Sequence, residues 1–313
     1  MSSVAQWTDQ ATIAEAHAWL REVAAAHGRR VNAEITQPHV RPWSTVFRAE
    51  SDGGTIYLKL CGDSQAHEPA LTTLLAGTAR GLVPDVLAVH PERPWMLITD
   101  GGAKLRDSHH GTALLDVWID ILPRYAELQR AFIGREDELL ATGTPDHRLD
   151  RLPGELASVI ADERVFAALD RLASTHEELR AILPVLGGLC DELAALGIGP
   201  TIEHDDLHDG NVLTRDGRTV VFDWGDACVT HPFLSLWIVQ RAAAHRAGLD
   251  EQDSAIIRLR DAYLEPWGAV APAHELRRAA KIGARLGSVT RALCWYVVAT
   301  KNEGVIARPS ASQ

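Results

Sequence analysis

The spacing of apolar residues changes once along the chain, near residue 100, and this change limits the fold more than any other feature. Before it, short β-branched and aromatic runs dominate; after it, nearly every apolar stretch repeats at helical spacing. Thr45-Val46-Phe47 and Thr55-Ile56-Tyr57-Leu58 flank Ser51-Asp52-Gly53-Gly54, which reads as a hairpin turn. Strands are also expected at Val86–Val89 and Trp95–Thr99. The first region carries two helical patterns. One runs from Thr8 to His27, capped by Thr8 or Asp9 and stopped by Gly28; the other spans Glu68–Ala79.

Asp100-Gly101-Gly102 interrupts the pattern, and helices are expected beyond it. They cover Ala113–Phe132, Arg164–Ala173, Glu177–Leu196, Phe233–Ala247, Ser254–Leu264 and Ala273–Ala299, with Pro123 expected to kink or split the first. Small polar residues at Arg308–Gln313 should fray. The strand signals of this second part are Asn211-Val212-Leu213 and Thr219-Val220-Val221-Phe222, joined by a turn at Arg215-Asp216-Gly217-Arg218. The expectation is an α+β chain in two regions, residues 1–101 strand-rich and 102–313 mainly helical, hinged near Asp100–Ala103.

Three function classes are excluded early. A net charge of −11 repels a phosphate backbone, so nucleic acid is not the expected partner. No uninterrupted apolar run is long enough to cross a bilayer, and no basic-then-apolar segment opens the chain. Cys61, Cys190, Cys228 and Cys294 lie far apart without metal-ligand spacing, as expected of reduced thiols in a cytoplasmic protein.

The chemistry concentrates in Glu203-His204-Asp205-Asp206-Leu207-His208-Asp209-Gly210-Asn211. Carboxylates this crowded repel one another unless a cation gathers them. The hairpin that follows brings Asn211 close to Asp223, and a carboxylate with an amide oxygen suits Mg²⁺ on phosphates. Upstream, Lys59 closes the apolar strand Ile56-Tyr57-Leu58-Lys59-Leu60 and needs an anionic partner. Glu68 and Glu50 are the nearby acids. His204 and His208 stand four apart, but Asp209-Gly210 argues against a zinc-binding helix. His109-His110 reads as an exposed loop pair, and Trp224, Trp237, Trp267 and Trp295 as helix-packing side chains that could instead line a pocket.

This segment resembles the catalytic loop of aminoglycoside phosphotransferases and choline kinases, whose pattern is His-Gly-Asp-x-x-x-x-Asn followed by Ile/Val-Asp-Phe/Trp. His204, Asp206, Asn211 and Asp223 fall in register, and Asp205 departs from the pattern by standing where Gly is usual. The resemblance implies a two-lobed protein-kinase-like fold and transfer of the ATP γ-phosphoryl group to a hydroxyl of a small molecule. It implies Asp206 as base, Asn211 and Asp223 as Mg²⁺ ligands, and His204 as a brace. It further implies Lys59 on the α and β phosphates, Glu68 as its anchor, Ser44 and Thr45 in the loop over the phosphates, and Thr99 and Gly101 in the linker facing adenine.

Asp226, Glu265 and Glu275 are candidate acids for a cationic acceptor, Asp226 alternatively only solvating a turn. Two other readings remain: a metal-dependent phosphohydrolase using His204-Asp205 and His208-Asp209, and a catalytically silent nucleotide-binding regulator.

Overall fold

The computed structural model describes residues 3–163 and 173–302; the expected helix at Arg164–Ala173, apart from its last residue, and the expected fraying at Arg308–Gln313 lie outside them. Two helices open the described residues, α1 (Val4–Thr8) and α2 (Gln10–Ala26); α2 is the expected helix, and the short α1 precedes it without a sequence signal. The Asp9 carboxylate accepts from the Thr12 N–H and caps α2.

Five strands follow, β1 (Thr36–Arg41), β2 (Ser44–Ser51), β3 (Gly54–Cys61), β4 (Val86–Val89) and β5 (Trp95–Thr99), in an antiparallel sheet of order β1-β2-β3-β5-β4. The hairpin forms with Ser51 opposite Gly54. β1 escapes a pattern search because it is a polar edge strand with Pro38 inside it, and its register shifts between Thr36 and His39.

Strand alternation sorts β3 into two faces. Ile56, Leu58 and Leu60 join Trp7, Leu20, Phe47 and Leu97 in a core beneath α2, while Tyr57, Lys59 and Cys61 point to the opposite side. Lys59 sits in one rung with Val46 of β2 and Met96 of β5, facing a cleft.

The second, larger core is helical. Its helices are α3 (Glu68–Thr78), α4 (Leu105–Ser108), α5 (Thr112–Ala131), α6 (Glu136–Ala141), α7 (Leu152–Ala161), α8 (Ala173–Ala181), α9 (Leu183–Ala194), α10 (Leu236–Ala247), α11 (Ser254–Leu264) and α12 (Ala273–Lys301). Pro123 neither splits nor ends α5, which continues to Ala131. One backbone donor is lost there, but Trp118, Ile121, Leu122, Tyr125 and Leu128 bury a face that holds the helix together. Although α3 precedes the linker, its Leu71 and Leu75 pack into this core, together with Leu82 and Val83.

Five short strands are embedded among the helices. β6 (Ala103–Lys104), β8 (Val212–Arg215) and β9 (Arg218–Val221) pair in the order β6-β8-β9; β7 (Thr201–Glu203) pairs with β10 (Cys228–Thr230). Asp216 and Gly217 both take positive φ, the turn that suits the twist of the β8–β9 hairpin. The sequence revealed β8 and β9; β6, β7 and β10 are two or three residues long and carry no periodicity.

Candidate active site

Lys59 and Glu68 meet on the upper side of the cleft. Lys59 Nζ lies 2.6 Å from Glu68 Oε2 and 2.6 Å from Asp223 Oδ1, so one ammonium joins the sheet, α3 and the end of the β8–β9 hairpin. Glu50, the other nearby acid, pairs with Arg48 instead. Burial opposes the charge on Lys59, but Asp223 and Glu68 outweigh it and hold the ammonium well above its ordinary pKa. Burial pushes the Glu68 carboxyl up, and Lys59 pulls it only partly back.

Asp223 takes a left-handed backbone, φ 67° and ψ 60°, and that turn carries its carboxylate into the cleft. Burial works against this carboxylate too, yet Lys59 keeps it below the usual range.

The loop after β7 supplies the lower side. Asp205 also has positive φ, 57°, which explains why glycine is common there. Its side chain turns out of the cleft into the interior, where Thr290 Oγ1 donates to Oδ1 at 2.7 Å. The unusual carboxylate is therefore not offered to a substrate. Burial raises its pKa well above the ordinary value.

Asp206, by contrast, faces the cleft. Asn211 Nδ2 donates to its Oδ2 at 3.0 Å and Arg291 Nη2 lies 2.9 Å from its Oδ1. Burial favours the neutral acid, but His208 and then Arg291 more than offset it, and Asp206 stays ionised below the usual range. His204 braces the loop through both ring nitrogens. Nδ1 accepts from Asp206 N–H at 3.3 Å, which places the proton on Nε2, the donor to Phe222 O at 3.0 Å. Phe222 N–H donates to Asn211 O, locking the two candidate metal ligands into one register.

These groups line one cleft of about 540 Å³, with Ser44, Lys59, Glu68, Thr99, Gly101, Asp206 and Asp223 on its walls. Asn211 and Thr45 are not on those walls: Asn211 lies buried beside Asp206, to which it donates, and Thr45 faces the interior. The threonine is buried behind the β1–β2 turn, its hydroxyl donating to His39 O and accepting from Gln37, because its strand position points away from the cleft.

Among the candidate acids only Asp226 reaches the site; Glu265 and Glu275 are exposed elsewhere. Asp226 does more than solvate a turn: Gln65 Nε2 donates to Oδ1 at 2.8 Å and Arg291 Nη1 to Oδ2 at 2.6 Å. Trp224 and Trp295 line the cleft, Trp295 edge-on to Trp43, whereas Trp267 is core.

Arg291 and Gln65 are the residues a sequence reading misses. Arg291 lies in a helical run with other basic residues, and only the packing of α12 sets it apart.

The residues proposed for a phosphohydrolase diverge. His204 has both nitrogens engaged, Asp205 faces Thr290, and Asp209 pairs with Arg246 at 2.6 Å. Among the described residues no three His, Cys, Asp or Glu side chains converge as a metal site. The Asn211–Asp223 pair suits a different ion. Asn211 donates its amide nitrogen to Asp206, leaving its carbonyl oxygen as a ligand, and the Asp223 side chain is 42% exposed. Hard oxygens of this kind fit Mg²⁺ completed by phosphate and water.

The sheet lobe, the helical lobe and the cleft they share form the protein-kinase-like fold of the solved structures that the chain is similar to. The chain belongs to the phosphotransferase enzyme family, whose profile matches residues 5–276. No curated protein matches it. Among solved structures it is similar to macrolide 2'-phosphotransferase type I, at 17% identity, with 96% of each chain covered and a TM-score of 0.57. An ethanolamine kinase from Plasmodium vivax aligns at 12% identity over 93% of this chain and 84% of that one, TM-score 0.60. The aminoglycoside phosphotransferase APH(3'')-Id from Streptomyces rimosus, in complex with ADP and streptomycin, aligns at 17% identity over 88% and 98%, TM-score 0.52. Among the described residues no helix is long and apolar enough to cross a membrane.

Proposed function

We propose that the protein transfers the γ-phosphoryl group of ATP to a hydroxyl of a small molecule of aminoglycoside, amino sugar or amino alcohol type, in the cytoplasm. The observation that carries this reading is the meeting of Lys59, Glu68 and Asp223 at 2.6 Å contacts across the cleft that also holds Asp206. Phosphoryl transfer needs positioning and charge neutralisation more than covalent chemistry from the protein. Lys59 holds the α and β phosphates, and Glu68 fixes its ammonium. Thr99 and Gly101 lie along the linker where the adenine edge meets the backbone, and Ser44 borders the phosphates.

Asn211 and Asp223 hold Mg²⁺, which when bound neutralises charge on the phosphate oxygens. Asp206 orients the acceptor hydroxyl and takes its proton, a role that its ionised state permits. The solved aminoglycoside phosphotransferase APH(3'')-Id, in complex with ADP and streptomycin, supports this reading.

The test is mass-spectrometric. The protein is incubated with Mg-ATP and a panel of hydroxylated antibiotics, sugars and amino alcohols, and phosphorylated products are sought. A product gaining one phosphoryl group is expected, and Asp206→Ala should abolish it. Tight Mg-ATP binding without transfer to any acceptor would overturn the reading in favour of a silent nucleotide-binding regulator.

A further inference from the structure

Arg291 reaches the cleft from the middle of α12, far in sequence from every motif residue. Its guanidinium spans two carboxylates, Nη1 to Asp226 Oδ2 at 2.6 Å and Nη2 to Asp206 Oδ1 at 2.9 Å. A planar fork can hold two acids at fixed separation, whereas an ammonium on a flexible stem cannot. The arginine has little freedom, since its side chain is only 13% exposed and lies over the Trp295 ring, 5.3 Å from the centroid.

Asp226 is itself fixed from the other lobe. Gln65, just before α3, donates Nε2 to Asp226 Oδ1, and it fits there because residue 225 is glycine. A β-carbon at Gly225 would lie 2.6 Å from the Gln65 amide carbon. The same short segment carries Glu68, the partner of Lys59. A continuous line of contacts therefore runs from the phosphate end, through Gln65, Asp226 and Arg291, to Asp206.

We infer that Arg291 is a positioning residue for phosphoryl transfer: anchored on Asp226, it holds the Asp206 carboxylate in the orientation that receives the acceptor hydroxyl. This rests on Asp206 being the acceptor base. In that step the acceptor oxygen bonds to the γ phosphorus, and the β–γ bridging P–O bond breaks with its electron pair leaving on ADP. The hydroxyl proton passes to Asp206. Arg291 holds one carboxylate oxygen and Asn211 the other, so the carboxylate plane is set before the acceptor arrives. The line to Gln65 ties that orientation to the lobe that carries Lys59.

Three variants separate positioning from simple charge balance: Arg291→Met, Arg291→Lys and Asp226→Asn. The first readout needs no acceptor. The dissociation constant for Mg-ADP, measured by calorimetry, should stay within about twofold of the parent in all three, since Arg291 holds a carboxylate of the loop and not the nucleotide.

The second readout is kinetic. All three variants should lose about tenfold to a hundredfold in kcat with KM for ATP within about twofold of the parent, as expected when a base is misaligned. Arg291→Lys should recover little of kcat, because an ammonium does not hold two carboxylates at a fixed separation.

A merely structural arginine predicts losses in KM for ATP and stability together. Parental kcat in Arg291→Lys, or full kcat in Asp226→Asn, would overturn the inference and leave the kinase reading standing. Failure of the unaltered protein to phosphorylate any acceptor would sink both.

Discussion

Replacing Lys59 with methionine strips one ammonium from two carboxylates, and the structure says that the two suffer unequally. The Asp223 side chain is 42% exposed and regains water; that of Glu68 is fully buried and cannot. Breaking a buried ion pair by deleting one partner costs about 3–5 kcal/mol, because a charge is left uncompensated. Nearly all of that cost should fall on Glu68.

Two consequences follow. The double variant Lys59→Met/Glu68→Leu should recover most of the lost stability, since an apolar pair in place of a buried ion pair is often close to neutral. The pH dependence also has a defined sign. The folded-state pKa of Glu68 is already raised above its ordinary 4.5, and losing Lys59 raises it further. A carboxyl raised in the folded state contributes stability that is fully present below the unfolded value and lost as pH rises through the folded one. Lys59→Met should therefore lie closest to the parent near pH 5 and furthest from it near pH 8.

Urea unfolding followed by tryptophan fluorescence at the two pH values measures this directly. Calorimetry should show that nucleotide affinity falls in both variants. If the single variant unfolds at the parental midpoint, or the double variant is damaged as badly as the single one, the buried-pair argument is wrong.

Asp206→Ala should lower kcat by about 10²–10⁴-fold while the nucleotide dissociation constant stays within a few-fold, measured by ADP release and calorimetry. Asn211→Ala and Asp223→Ala should each raise the Mg²⁺ concentration needed for nucleotide binding and weaken that binding, a coupling visible in magnesium titrations. Burial raises the Glu203 carboxyl to about 8 against an ordinary 4.5. Its stabilising effect is thus full below about pH 4.5 and lost by about pH 8, at about 1.4 kcal/mol per pH unit. Glu203→Gln, which keeps acceptance from Asp205 N–H and can donate to Ser235, should flatten that decline in denaturation midpoints. Gly102→Ala should cost at least about 1–3 kcal/mol of unfolding free energy, because φ there is 111° and a β-carbon would strike the Thr214 carbonyl.

Local signals explain what was legible in the sequence. The β2–β3 hairpin, α3, β5 and the β8–β9 hairpin carry strong periodicity or turn chemistry and appear where expected. Asn211 and Asp223 come close as the hairpin implies, because a tight turn fixes distance over few residues, whereas the meeting of Lys59 with Asp223 spans 164 residues and is reached through the family resemblance. Arg291 and Gln65 are not readable, because their place depends on how a long helix and a pre-helical segment pack, and no local pattern encodes that. Thr45 errs for a similar reason: a one-residue step along β2 moves a side chain from the cleft to the interior. Pro123 does not split α5, because tertiary burial overrides a local helix breaker.

The last helix carries a practical lesson about boundaries. The family profile ends at residue 276, only four positions into α12, yet Thr290 and Arg291 grip the adjacent Asp205 and Asp206 from further along that helix. A protein trimmed at the profile's edge would retain every recognisable motif and lose both handholds on the loop. Sequence surveys that score only the matched span would rank such a fragment as complete, and swapping this terminal segment between relatives would retune the base without touching a motif.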